Sequence, residues 1–160
     1  MEIEISLAEQ RLVLSDDQGS IKRWAVSTAL NGAGEKQDSE CTPRGTHIVD
    51  EMIGDGEPIN TVFVGRRPTG EIYSPELARN APERDWILTR ILWLRGLEAG
   101  FNSGPGCDSK ERYIYIHGTP DAVVLGKPGS RGCVRMANSA IIELFQLVSV
   151  GTLVNIKDAK

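Results

Sequence analysis

The chain has 160 residues, 40% of them hydrophobic, with 18 Lys and Arg against 22 Asp and Glu and a formal charge of -4. That is enough apolar material for one core, and residues 1–160 are read as a single domain. The basic residues are scattered rather than gathered in a stripe, so the chain offers no footprint for a polyanion and no nucleic-acid partner is expected.

The N-terminal stretch MEIEISLAEQRLVLS places Ile3, Ile5 and Leu7, then Leu12 and Leu14, in alternation with polar residues. This predicts two strands joined by a hairpin turn at AEQ. The same stretch has neither the basic start nor the unbroken apolar run of a secretory signal. No segment approaches the roughly 18 apolar residues of a membrane-spanning helix. As it stands the chain reads as cytoplasmic, and a leader ahead of it would make the protein periplasmic instead. Cys41, Cys107 and Cys133 are odd in number, far apart and without a C-x-x-C pair. That usage fits a reducing compartment and leaves at least one thiol free. Whether Cys41 and Cys107 pair depends on geometry, and the sequence leaves it open.

SIKRWAVSTA, GTHIVDEMI and NTVFVGR continue the run of short strands, separated by NGAGEKQDSECTPRG and GDGEP, whose Gly, Pro, Asn and Asp mark loops. DWILTRILWLRGLE fits an amphipathic helix or a buried strand, and its two Trp and β-branched residues favour a strand in its C-terminal half. RYIYIHG reads clearly as a strand, with Ile114 and Ile116 on one face and Tyr113, Tyr115 and His117 on the other. NSAIIELFQLVSVG predicts a helix, with Asn138 as N-cap, Ile141, Ile142, Phe145 and Val148 at helical spacing, and Gly151 as the stop. TLVNI closes the chain as a strand. The expected class is mainly β, with one or two helices packed on the sheet. Pro75 to Arg84 and the loop GFNSGPGCDSKE are candidates for gating a cleft.

The stretch YIYIHGTPDAVVLGKPGSRGCVRM holds one of the two histidines, His117, and one of the three cysteines, Cys133, each beside a glycine. A thiol has a pKa of about 8.5, and a neighbouring imidazolium lowers it to roughly 3.5–7.5, which gives a thiolate nucleophile. Gly132 lets the turn from Ser130 to Cys133 aim successive backbone N–H groups at one point, where an oxyanion could be held. The residues alone leave other readings open. A cysteine is often buried for packing, and a strand-end histidine is often no more than a satisfied polar group. A zinc site would draw on Cys41, His47, Cys107, His117 and Cys133, but no pair among them has the short ligand spacing of such sites, and no metal or cofactor is expected.

These residues carry a resemblance. IHG-T, a Gly-rich spacer and then S-R-G-C-V-R-M resemble the active-site signature of the L,D-transpeptidase catalytic domain, also called the YkuD-like domain. VSTALNGAGEKQDSECTPRGTHIV is similar to that family's strand-loop-strand, and DWILTRILWLRGLE followed by YIYIHGTPD to its central segment. The likeness runs roughly from Ile3 to Ile156. It implies a β-sandwich-like domain in which Cys133 is the nucleophile, His117 its base and Gly118 the residue whose carbonyl orients the imidazole. The N–H groups of Arg131, Gly132 and Cys133, in the turn that Ser130 opens, would form the oxyanion hole. Arg135 would hold the site or a substrate carboxylate, unless it is an ordinary surface ion-pair partner. Many members have His where this chain has Arg131, which bears on substrate positioning rather than on the nucleophile.

The implied partners are the tetrapeptide stems of peptidoglycan, with carbapenems as inhibitors. The implied reaction is attack on the bond between meso-diaminopimelate and D-alanine through a thioester. An amine acceptor would make the enzyme an L,D-transpeptidase; water would make it an L,D-carboxypeptidase, the outcome that suits murein recycling in the cytoplasm. The alternative is a non-catalytic muropeptide-binding module on the same fold.

Overall fold

Alternating apolar and polar residues do form strands in the computed structural model, which describes residues 1–159. In chain order these are β1 (Glu2–Ser6), β2 (Arg11–Asp16), β3 (Gly19–Ala25), β4 (Gly45–Ile53), β5 (Thr61–Val64), β6 (Arg67–Ile72), β7 (Ile87–Gly96), β8 (Tyr115–Gly118), β9 (Val134–Met136) and β10 (Leu153–Lys157). Two helices, α1 (Pro75–Asn80) and α2 (Asn138–Leu147), complete the mainly β class that the sequence predicts.

One hydrogen-bonded sheet holds all ten strands, in the order β3-β2-β1-β10-β4-β7-β5-β6, with β8 attached to β7 and β9 to β8. Most pairs are antiparallel, but β1 runs parallel to β10 and β8 parallel to β9. The main core gathers Ile3 and Ile5 of β1, Leu12 and Leu14 of β2, Leu92 and Leu94 of β7, and Ile116 of β8 against Ile141 and Leu144 of α2. Each such side chain removed from water contributes about 1.5–3 kcal/mol. A second cluster, of Phe63, Ile91 and Tyr115 with Trp93 packed on it, lies on the opposite face of β7.

That two-sided burial explains why DWILTRILWLRGLE reads ambiguously. Ile91 and Trp93 serve one cluster, Leu92 and Leu94 the other, so the strand carries a nearly continuous apolar run instead of a clean alternation. Two strands have no signal in the sequence. β6 is a mostly exposed edge strand carrying Pro68 and Gly70, and β9 has only three residues.

Asn138 is not the N-cap of α2. Ala137 occupies that position, with no side-chain cap bond, and Asn138 begins the helix with its side chain turned inward. It is 2% exposed and accepts from the Thr89 hydroxyl at 2.6 Å while donating to the Thr119 carbonyl at 2.9 Å and the Asn60 carboxamide oxygen at 3.0 Å. A buried amide with several acceptors to serve is of more use inside than at the helix end. Thr89 itself has a φ of +76°, rare for a β-branched residue, and it interrupts the β7–β8 ladder between Leu88 and Ile91.

His47 is buried on β4. Its Nδ1 donates to the Gly45 carbonyl at 3.0 Å, so in the neutral ring Nε2 accepts from the Ser109 hydroxyl at 2.8 Å. Burial lowers its pKa from 6.5 to about 4. Cys41, Cys107 and Cys133 are all free thiols.

Below pH 6.5 an unfolded His47 takes up a proton that the folded one refuses, so stability falls as pH drops from 6.5 towards 4, by about 3 kcal/mol in all. Urea unfolding at pH 7, 5 and 4 measures this, and His47→Gln should flatten that part of the curve. Asn138→Ala strands the Thr89 hydroxyl and the Thr119 carbonyl and should cost about 2–3 kcal/mol in the same assay at pH 7.

Candidate active site

Pairing between β8 and β9 places the chemistry. Ile116 lies opposite Val134 and His117 opposite Arg135. Since side chains alternate along each strand, Ile116 and Val134 enter the main core while Tyr115, His117, Cys133 and Arg135 share the other face. That face opens into a cavity of about 380 Å³, whose walls include His117, Cys133, Ser130, Arg131 and Arg135. Five of the seven residues singled out from the sequence therefore meet at one cavity. Gly118 and Gly132, the other two, act on it through the residues they hold.

Gly118 does so through its carbonyl, which lies 2.6 Å from His117 Nδ1. A carbonyl can only accept, so Nδ1 carries the proton and Nε2 keeps its lone pair in the neutral ring. No larger residue fits here, because a Cβ on Gly118 would sit 2.4 Å from Asn138 Oδ1 and 2.6 Å from the Leu88 carbonyl. The strained turn at Thr89 and the buried Asn138 thus press against the peptide that orients the imidazole.

Cys133 is partly exposed, yet its sulfur is desolvated enough that burial pushes the thiol up to about 12. The thiol donates to the Tyr113 carbonyl at 3.3 Å and accepts from the Tyr115 N–H at 3.4 Å. Burial also holds His117 below the usual imidazole range. Both shifts run against the lowering that a neighbouring imidazolium would bring to a thiol, because burial penalises either charge. Burial thus favours the uncharged form of each group.

The turn before Cys133 is internally tied. Ser130 Oγ accepts from the Gly132 N–H at 3.2 Å and donates to the Cys133 carbonyl at 2.6 Å. Ser130 therefore holds the turn, and the Gly132 N–H, one of three expected oxyanion donors, is already engaged. Arg135 donates to the Gly129 carbonyl at 3.2 Å and pairs with Asp85 at 3.3 Å, while Arg131 is exposed.

Four arginines, Arg66, Arg112, Arg131 and Arg135, line the cavity with one acid, Asp85. Arg66 has no motif to mark it in the sequence. It sits at the β5–β6 hairpin tip, 4.8 Å from the Trp93 ring centre and 5.0 Å from that of Tyr113, and donates to the Tyr115 hydroxyl at 3.2 Å. The two gate candidates, Pro75 to Arg84 and Gly100 to Glu111, each stop one residue short of a wall residue, Asp85 and Arg112. Pro75 to Arg84 lies outside the wall, and the loop after Gly100 is tied to β4 through Asn102 and Ser109. The β5–β6 hairpin supplies Phe63, Gly65 and Arg66 to the wall. Of the other zinc candidates, His47 faces Ser109 and the Cys107 thiol bonds the Ser103 carbonyl. Neither belongs to this cavity.

The family model of the L,D-transpeptidase catalytic domain, YkuD, matches residues 1–156. The Bacillus subtilis relative YqjB, provisionally named an L,D-transpeptidase, is 40% identical over 73 residues, which cover 40% of this chain and 42% of its own. A Fuscovulum blasticum relative, also provisionally named an L,D-transpeptidase, is 49% identical over 132 residues, covering 76% of this chain and 60% of its own. Both matches span less than two thirds of the relative's length. L,D-transpeptidase 3 of Mycobacterium tuberculosis, solved with a faropenem-derived adduct, has a TM-score of 0.58 at 14% identity over 98% of this chain and 59% of its own. At that identity the likeness is one of fold. With the model spanning nearly its whole length, the chain belongs to the L,D-transpeptidase catalytic domain family.

Proposed function

We propose that Cys133 is an acyl-transfer nucleophile acting on the bond between meso-diaminopimelate and D-alanine in peptidoglycan tetrapeptide stems. The observation that carries the reading is the same-face arrangement of Cys133 and His117 on parallel neighbours, with the His117 tautomer fixed by the Gly118 carbonyl. His117 Nε2 takes the thiol proton as sulfur attacks the carbonyl carbon. The tetrahedral oxyanion is held by backbone N–H groups of the turn. It collapses to a thioester as the C–N bond breaks, and the imidazolium returns its proton to the departing D-alanine amine.

An acceptor amine or water then attacks the thioester. Transfer to an amine makes a cross-link or an anchored chain; transfer to water makes a tripeptide. Hydrolysis suits a cytoplasmic enzyme that meets soluble turnover peptides, and cross-linking suits one outside the membrane. The cationic wall favours a peptide rich in carboxylates, since guanidinium groups bind them in a bidentate fashion. Its single acid, Asp85, is already paired with Arg135.

Incubation with tetrapeptide and mass analysis of the products tests this reading. Tripeptide alone identifies a carboxypeptidase, dimer a transpeptidase, and Cys133→Ala should yield neither. A carbapenem should leave a covalent adduct on Cys133 and on no other cysteine. Failure of both assays with a folded protein would leave the muropeptide-binding module. The pH dependence follows from the neutral pair. Acylation should hold steady down to pH 6.5 and fall only as His117 protonates below that, because burial lowers its pKa. A pH profile of adduct formation checks this, and an acid limb centred above 6.5 would contradict it.

A further inference from the structure

We propose that Thr42 is a positioning residue that aims the Cys133 N–H as an oxyanion donor, an inference that rests on the acyl-transfer reading of Cys133. Thr42 lies on the TPRG stretch, far from the cysteine in sequence, and is fully buried. Its hydroxyl accepts from the Ala29 N–H at 3.0 Å and donates to the Gly132 carbonyl at 2.9 Å. With a lone pair engaged by Ala29, its one proton is directed at Gly132.

The Gly132 carbonyl and the Cys133 N–H belong to the same peptide unit, which is planar and trans, so they point in opposite directions. Anchoring the oxygen to Thr42 turns the N–H away from it. Among the described residues no protein group accepts from the Cys133 N–H, whereas the Gly132 N–H is engaged by Ser130. The anchored donor is therefore left for a ligand. The geometry depends on glycine: Gly132 has a φ of +131°, and a Cβ there would come within 3.2 Å of the Cys41 carbonyl. That carbonyl is itself held by the Arg112 guanidinium at 2.7 Å.

Thiol acylation and thiol alkylation separate this role from mere support of the fold. Attack on a carbapenem carbonyl builds an oxyanion; attack on iodoacetamide, at a saturated carbon, builds none. Thr42→Val keeps the shape but not the hydroxyl. It should slow acylation of Cys133 by a carbapenem about ten- to hundredfold, below the full loss of a donor because the N–H is mis-aimed rather than removed. Its alkylation rate at the same pH should match the wild type, and Thr42→Ser should restore acylation. Unchanged acylation in Thr42→Val overturns the proposal. So does a parallel loss of acylation and alkylation, which assigns Thr42 a purely structural role, or a failure of Thr42→Ser to restore acylation. A wild-type protein that alkylates but never acylates overturns the acyl-transfer reading itself, and the inference falls with it.

Discussion

Parallel pairing of β8 and β9 is the constraint on which the site depends. β9 has three residues and cannot hold itself in place. On one edge it is fixed by β8, and on the other by two backbone bonds between Arg135 and Ser27, both 2.9 Å. Because the strand period is two, a slip of one residue would push Cys133 into the core and Val134 into the cavity. The buried Val134 and Met136 make such a slip costly, so core packing sets the register and the register sets the chemistry.

Behind that register lie two polar braces. On the histidine side, Asn138 and Thr89 crowd the Gly118 peptide, whose carbonyl selects the imidazole tautomer. On the cysteine side, Thr42 and Ser130 tie the turn around Gly132. Each brace joins segments far apart in the chain, and each is largely buried, where an unmet polar atom costs about 1–3 kcal/mol. The left-handed backbone of Thr89 fits the same pattern. Strain of that kind persists only where surrounding contacts over-determine it.

Burial acts in opposite ways on the proposed nucleophile, Cys133, and its proposed base, His117. Desolvation raises the pKa of the thiol and lowers that of the imidazole, which disfavours a charged pair. A neutral imidazole is the form able to take a proton, and in the proposed reaction the energy of charge separation is deferred to the step in which substrate and turn amides share it. The arginines around the mouth act differently: partly solvated, they offer attraction to anionic groups without entering the proposed proton transfer.

What the sequence determined by itself was local and periodic. Alternation identified β1, β2, β4 and the Ile114–Ile116 face, and helical spacing identified α2. The rarity of histidine and cysteine, with glycine beside each, marked His117 and Cys133. Tertiary structure alone decided the rest, because it depends on contacts between distant segments. It made β7 a strand buried on both faces, took Asn138 from a helix cap to a buried clamp, and gave part of the cavity wall to the β5–β6 hairpin. It also set how far burial shifts the Cys133 thiol and the His117 imidazole. Burial is a property of the packed surroundings, and no arrangement of neighbours along the chain specifies how much water reaches a sulfur atom.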